Sequence, residues 1–315
     1  MSLKGSRVLV TGGAGFIGSH LIDQLAKLDC SIVAFDNMSK GRLENIRGPL
    51  DRGNVKLIRG DIRRYLAVKS VVKGVDYVFH AAAMIESCNP TMGNSLIHET
   101  NVTGTLNLLA ASSGSDVKRL IYFSSAAVYG EPSILPVSEE AQTNPISFYG
   151  VSKLAGEYYC KLFNSAYGLR TISLRLFNVY GPRQGHGPYA GVVTNFVDRF
   201  LKGKRPIIYG DGLQRRDFIH VSDVVRAMIT AASSKRHLDG GVFNIGSGRA
   251  ITIGSLARRL ADICGNKRFS PIYESARQGD VRRSSADVRR AANSLSFRCR
   301  VSLDEGLADY VASRR

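Results

Sequence analysis

The chain reads as an α/β protein, a doubly wound parallel sheet with a smaller C-terminal lobe. Three observations predict this. Short β-branched runs alternate with stretches of helical periodicity through the first half, as βαβ crossovers require. The first such run, RVLV, leads straight into the glycine-rich turn TGGAGFIGS and then a helical pattern. With 315 residues, 44% of them hydrophobic, the chain can bury a large core.

Six runs read as buried strands: RVLVTG, SIVAFD, VKLIRGD, VDYVFHAA, RLIYFSS and LRTISLRLFN. They are apolar almost throughout, which suits strands covered on both faces. Helical periodicity fills 17–28, 64–73, 95–113 and 149–166 between them. From about residue 178 the pattern becomes irregular. GPRQGHGPYAG is a loop, helix 192–203 follows, then RPIIYGDG, a strand-like DFIHV and helix 222–233. GVFNIGSG reads as one more core strand, and 252–315 mixes short helices with basic loops. The expected division is a nucleotide-binding domain over 1–177, re-entered by about 212–250, and a substrate lobe from 178–211 and 251–315.

The net charge is +17, but the Arg-Arg pairs at 63–64, 215–216, 258–259, 282–283, 289–290 and 314–315 are scattered. That reads as a solvated basic surface with a few arginines available to a phosphorylated small molecule, and no nucleic-acid partner is expected. No run reaches the roughly 18–20 apolar residues of a membrane span. MSLKGSRVLV enters a strand pattern without the apolar core of a signal peptide, so no membrane partner and a cytoplasmic location are expected. The five cysteines, Cys30, Cys88, Cys160, Cys264 and Cys299, are far apart and lack metal-ligand spacing; neither disulfide nor metal is expected.

In VTGGAGFIGSH, Gly12, Gly15 and Gly18 recur every three residues between strand and helix. Gly12 permits the tight turn, Gly15 lets backbone approach a pyrophosphate, and Gly18 lets the helix pack closely. The helix start, including Phe16 and Ile17, supplies unpaired N–H groups for the phosphates. This is the phosphate loop of a Rossmann-type fold. Asp36, about 20 residues on, is placed to accept from the adenine-ribose hydroxyls, with Asn37 and Ser39 beside it; its charge favours NAD over NADP. Asp61 and Ile62, after the third strand, are placed near the adenine, although Asp61 also fits a helix cap.

The Gly-x-x-Gly-x-x-Gly spacing resembles that of the extended short-chain dehydrogenase/reductase family, and the resemblance covers essentially the whole chain. It implies a catalytic set of Ser125 in SSAAVYG with Tyr149 and Lys153 in YGVSK. Tyr149 and Lys153 stand four apart, on one helix face. A phenol with a pKa near ~10 is too weakly acidic to serve as a base at neutral pH. A lysine ammonium and an oxidised nicotinamide nearby would lower that value. Tyr149 then takes a proton from a sugar hydroxyl, Lys153 bonds the nicotinamide ribose, and Ser125 steadies the reacting oxygen. The resemblance also places Ala81, Ala82 and Ala83 under the pyrophosphate, Asn101 as support for the active-site helix, and Phe177 near the nicotinamide.

Related dehydratases carry Asp-Glu after the serine, where this chain has Ala126 and Ala127. Without groups to eliminate water, oxidation at C4, rotation of a 4-keto sugar and reduction on its other face remain: a nucleotide-sugar 4-epimerase with bound NAD. For a UDP-sugar substrate the resemblance implies Asn178, Val192, Tyr209, Arg216, Arg277 and Asp280, with Tyr209 stacking on the base and the arginines on the diphosphate. Ser284 stands where a bulky tyrosine restricts related enzymes to plain hexoses, so UDP-GlcNAc and UDP-GalNAc are expected substrates beside UDP-Glc and UDP-Gal. MIESCNP, at 84–90, matches neither epimerase subgroup and leaves uronates, pentoses or another nucleotide open. A reductase of the same fold, or a non-enzymatic NAD- or RNA-binding protein, are the alternatives. A homodimer through helices 95–113 and 149–166 is implied, with Ile97, Leu106, Leu108 and Leu109 against Leu154, Leu162 and Phe163.

Overall fold

The computed structural model describes residues 3–85, 90–185, 191–266, 270–277 and 279–315. In chain order, β1 (Arg7–Thr11) leads to α1 (Phe16–Ala26), β2 (Ser31–Asp36), α2 (Arg47–Asp51), β3 (Val55–Arg59), α3 (Tyr65–Val72) and β4 (Tyr77–His80). Next come α4 (Pro90–His98), a π-helical turn (Glu99–Thr103), α5 (Gly104–Ser113), β5 (Arg119–Ser125), a 3-10 turn (Ala126–Tyr129), α6 (Phe148–Tyr167) and β6 (Thr171–Leu176). The remainder is β7 (Asn178–Tyr180), α7 (Val192–Leu201), β8 (Ile207–Tyr209), β9 (Arg215–His220), α8 (Val221–Ser233), β10 (Gly241–Ile245), β11 (Ala250–Thr252), α9 (Ile253–Ile263), β12 (Ile272–Glu274), α10 (Arg289–Leu295) and α11 (Leu303–Ala312).

Seven strands form the central sheet in the order β10-β6-β5-β4-β1-β2-β3, every pair parallel. The chain winds outward from β1 to β3, then returns to β4 on the other side of β1 and winds outward again. The order therefore reverses between β1 and β4, opening a crevice at their carboxyl ends where such folds bind ligands. Alternate residues feed two cores. Val8, Val10, Ile32, Ala34, Ile121 and Phe123 pack with α1 and α8 on one face. Leu9, Val33, Phe35, Leu120 and Tyr122 pack with α3, α5 and α6 on the other. A third core, from α7, α9 and α11, includes Phe196, Leu260 and Tyr310 and belongs to the small lobe.

Three expectations are corrected. The run LRTISLRLFN is two strands: β6 joins the central sheet, while β7 pairs with β9 in a separate three-stranded sheet. The break falls at Phe177, whose N–H donates to the Ile245 carbonyl. Strand β9, within the expected re-entry at about 212–250, also lies in that second sheet, although its Ile219 already packs in the main core; the chain rejoins the central sheet only at β10, after α8. Periodicity marks a strand but carries no information about which sheet completes its hydrogen bonds. Helix 95–113 is interrupted by the π-helical turn at Glu99–Thr103. Among the described residues, no helix is long and apolar enough to cross a membrane.

Candidate functional site

The crevice begins at the β1–α1 turn. Gly12 has φ of +67°, and a Cβ there would lie 2.7 Å from the Ala82 nitrogen. Glycine is therefore required both by conformation and by the close passage of the 81–83 segment. A Cβ at Gly18 would meet the Gly12 carbonyl oxygen at 2.2 Å, so this glycine is packed against the loop itself rather than against the strand. At Gly15, the N-cap of α1, a Cβ would meet just the Gly12 oxygen, at 3.1 Å, which leaves its other side clear for a ligand. No side chain caps α1 and no acidic residue stands in its first turn. The N–H groups of Phe16 and Ile17 thus face no side-chain competitor, as a pyrophosphate seat requires.

At the ends of β2 and β3 lie the carboxylates. Asp36 is buried and accepts from the Ala14 N–H at 3.0 Å and the Met38 N–H at 2.8 Å, one on each oxygen. Each oxygen keeps acceptor capacity for a ribose hydroxyl. Asn37 donates to Asp61 and accepts from both the N–H and the hydroxyl of Ser39. Asp61 does not cap α3. Its carboxylate is forked by Arg63 at 2.8 and 3.0 Å, which holds it down at about 2. Ile62 is buried beside Gly104.

A buried chain of hydrogen bonds backs the crevice. Thr105 donates to the Asn101 carbonyl at 2.5 Å, so its oxygen accepts from His80 Nε2–H at 2.9 Å. That leaves His80 Nδ1 to accept from Thr11 Oγ1–H at 2.8 Å, and Thr11 in turn accepts from Ala82 N–H at 3.3 Å. Burial drives the His80 pKa down to about 3, so the ring is neutral, as this relay demands. Asn101 accepts from Met84 N–H at 2.7 Å and donates to Met84 O and to Ser152 Oγ. The π-helical turn therefore ties the segment after β4 to α6. Residues 86–89, most of the MIESCNP stretch with Cys88, lie outside the described residues.

The catalytic candidates converge where α6 crosses the end of β5. Ser147 caps α6, its hydroxyl accepting from Gly150 N–H, and so sets the start of the helix carrying Tyr149 and Lys153. Ser125 ends β5 and accepts from Ala127 N–H at 3.1 Å. With that lone pair engaged, its O–H is left to donate toward the reacting oxygen. Lys153 is 3% exposed and donates to the Phe123 carbonyl at 2.7 Å, with its nitrogen 5.8 Å from the Tyr149 ring centre. Two of its three hydrogens remain for a ribose.

The electrostatics differ from the expectation that Lys153 would lower the Tyr149 pKa. Burial pushes the phenol up to about 12, opposed by its hydrogen bond with Ser125. Burial also pulls Lys153 down to about 7, with Cys160 and Glu157 opposing. Desolvation therefore dominates the phenol within the polypeptide, and lowering it falls to the charge that a bound oxidised nicotinamide would bring.

Sequence reasoning missed a buried ion pair one turn beyond Lys153. Arg175 forks onto Glu157 at 2.7 and 2.9 Å, and Ser124 donates to the same carboxylate at 2.5 Å. It locks α6 to β5 and β6. The Lys-x-x-x-Glu spacing in KLAGE was its visible signal; the partner on β6 was not.

On the substrate side the structure alters two readings. The Phe177 ring is buried among Val128, Tyr129, Val137 and Ala286, leaving it little surface for a nicotinamide. One face of Tyr209 is covered by the Arg277 guanidinium, 3.9 Å from the ring centre, so a base has at most the other face for stacking. Arg216, mostly buried, pairs with Asp280. Asn178 is exposed at the start of β7, Val192 opens α7, and Ser284 is half-buried, its N–H donating to the Arg215 carbonyl. Asp217 accepts from the N–H groups of Ser247, Gly248 and Ala286, and Asp223 from those of Arg300 and Val301; both brace the lobes.

A glycine loop opening onto an uncapped helix, a carboxylate closing β2 and a buried lysine behind β5 together fit NAD. Residues 8–246 match the NAD dependent epimerase/dehydratase family, and the chain belongs to it. It is 35% identical over 312 residues to a UDP-glucose 4-epimerase of Mycolicibacterium smegmatis, covering 97% of each chain. Among solved structures it is similar to a UDP-N-acetylglucosamine 4-epimerase from Methanobrevibacter ruminantium M1 in complex with UDP-N-acetylmuramic acid, with a TM-score of 0.93, 35% identity and coverage of 99% and 98%. It is likewise similar to the UDP-glucose 4-epimerase of Thermotoga maritima with UDP-glucose, with a TM-score of 0.91, 38% identity and coverage of 98% of both chains.

Proposed function

We infer that the chain is an NAD-dependent UDP-sugar 4-epimerase acting on UDP-GlcNAc/UDP-GalNAc and on UDP-Glc/UDP-Gal. The observation that carries this reading is the 3-10 turn after Ser125. Ala126 and Ala127 stand there, and the Ala127 carbonyl is packed against Gly150, next to Tyr149. The turn carries two alanines where related dehydratases carry an acid pair, so the site can move a proton at O4 but lacks an acid in that turn to expel a hydroxyl.

NAD held by the Gly12–Gly18 loop, Asp36 and Lys153 would supply a reversible hydride acceptor, so that the C4 hydrogen could leave with its electron pair and return to the opposite face of the sugar. Tyr149 takes the O4 proton as the carbonyl forms and gives it back afterwards. Ser125 donates to that oxygen in both directions, and Lys153 holds the cofactor ribose, while the charge of an oxidised nicotinamide bound there would favour the phenolate. Arg216 and Arg277 hold the diphosphate while the 4-keto sugar turns over, which requires Arg216 to share its charge between Asp280 and phosphate. Asp280 and the open face of Tyr209 take the nucleoside, Asn178 and Val192 line the diphosphate side, and Ser284 lies beside the C2 substituent.

Proton NMR of the purified protein with UDP-GlcNAc or UDP-Glc, without added cofactor, tests this. New anomeric signals from both sugars are expected. Signals from UDP-Glc alone would discard the Ser284 reading. Silence from both, with NAD present in the protein, would refute the proposed substrates.

We also infer a homodimer through α6, supported by its exposed Val151, Tyr158 and Leu162, which recur along one helix face. Leu108, Leu109 and Ile97, expected at that contact, are buried in the subunit. A monomeric mass by light scattering at micromolar concentration would refute it. A cytoplasmic location accords with the free thiols of Cys30, Cys160, Cys264 and Cys299.

A further inference from the structure

The segment that carries Ser284 is fastened on two sides. On one, the Arg215 N–H donates to the Arg282 carbonyl at 3.0 Å, and the Ser284 N–H to the Arg215 carbonyl at 3.1 Å, which ties it to β9 in the small lobe. On the other, it meets the chain that leaves the active-site turn. The N–H groups of Arg282 and Arg283 both donate to the carboxylate of Glu131, the latter at 3.1 Å. Farther along, the Val137 N–H donates to the Ser285 carbonyl at 2.8 Å. Glu131 directly follows Gly130, which closes the turn that Ser125 begins, and Gly130 holds a φ of +63°.

One carboxylate therefore joins two working parts of the site. Its position follows from the turn bearing Ser125, and it receives the two consecutive amides that precede Ser284. A charged acceptor on backbone N–H groups forms the stronger kind of hydrogen bond. The neighbouring fork from Arg282 to Asp211, at 2.6 Å on each side, is half-exposed at both ends. Glu131 is exposed as well, and what sets it apart is what it anchors: the fork holds a side chain, Glu131 the backbone on which Ser284 rides.

We propose that Glu131 is a positioning residue for sugar selection, setting the height of Ser284 over the C2 substituent by holding the Arg282 and Arg283 amides to the active-site turn. This rests on the reading of Ser284 given above. Glu131 touches neither sugar nor cofactor, so its removal acts on substrate placement and leaves the proton-transfer groups in position.

The test is steady-state kinetics of E131A and E131Q with UDP-GlcNAc and UDP-Glc, with D211A as a control and NAD content measured in each. For E131A the KM for UDP-GlcNAc rises about 10-fold, as the loss of a charged hydrogen bond predicts. Its kcat and NAD content stay at parental levels, and the ratio of kcat/KM for UDP-GlcNAc to that for UDP-Glc falls by about 3-fold or more. E131Q, with one acceptor retained, falls between E131A and the parent, and D211A matches the parent. An E131A enzyme with parental KM and ratio overturns the inference, as does one whose kcat falls equally for both sugars at constant KM. Should E131A fail to fold, parental selectivity in E131Q overturns it. A parent enzyme that epimerises neither sugar overturns the proposed function instead.

Discussion

Replacing Lys153 with methionine is expected to abolish epimerisation and, in protein stripped of nucleotide, to raise stability at neutral pH. The buried ammonium is held down from its ordinary 10.5 to about 7, chiefly by desolvation. At about 1.4 kcal/mol per pKa unit, that displacement amounts to about 5 kcal/mol against folding with the group charged. Methionine removes this cost and fills a similar volume. It also removes the 2.7 Å bond to the Phe123 carbonyl and the ammonium's approach to the Tyr122 ring, 5.0 Å from its centre. Those losses are worth about 1–3 and about 1 kcal/mol. A net gain of about 1–3 kcal/mol remains near pH 7, or a few degrees in Tm for a chain of this size.

The sign depends on pH. Because the folded-state value lies below the unfolded one, the lysine's cost is complete below pH 7 and fades as pH rises from 7 to 10.5. Over that window the unfolded chain binds the proton and the folded chain does not. The gap between K153M and the parent should therefore narrow with rising pH and reverse once the hydrogen-bond loss is all that remains. Differential scanning calorimetry of both proteins from pH 6.5 to 9.5 measures it. A K153M protein less stable than the parent at pH 7, or a gap independent of pH, would refute the reasoning.

Three further outcomes are expected. Tyr149→Phe keeps the fold and bound NAD but loses about 10²–10⁴-fold in kcat, the usual share of a general base, seen as a slowed appearance of anomeric signals by NMR. Gly12→Ala forces φ of +67° on a residue with a Cβ and drives that atom against the Ala82 backbone. It destabilises by at least about 1–2 kcal/mol and releases NAD, read from the absorbance of nucleotide lost on gel filtration. Asn101→Ala strands the N–H and carbonyl of Met84, lowering stability by about 2–4 kcal/mol and reducing kcat; unchanged melting would show that the bonds at 2.7 and 2.8 Å carry no weight.

The parts of the site that could be read beforehand are those whose partners lie within a few residues. The Gly12–Gly18 loop announces itself because strand, turn and helix N-terminus are contiguous; Tyr149 and Lys153, one helical turn apart, were singled out by the family resemblance. His80 escaped notice because its partners, Thr11 and Thr105, lie 69 and 25 positions away. The Glu131 clasp joins residues 151 and 152 positions apart. The Tyr209–Arg277 stack, which removes one face from base recognition, also joins residues far apart in the chain.

The sequence by itself determined the alternation of strands and helices, the phosphate loop and the acid at the end of β2, because each is set by local periodicity and fixed spacing; the candidate trio of Ser125, Tyr149 and Lys153 was legible through the family resemblance. Tertiary structure alone decided that β9 joins β7 and leaves the central sheet, that Phe177 is buried, and that Tyr149 rises to about 12 while Lys153 falls to about 7. Those outcomes depend on which distant groups surround a residue and how much water they exclude. Strand partners and desolvation are properties of the assembled chain, and no window of neighbouring residues contains them.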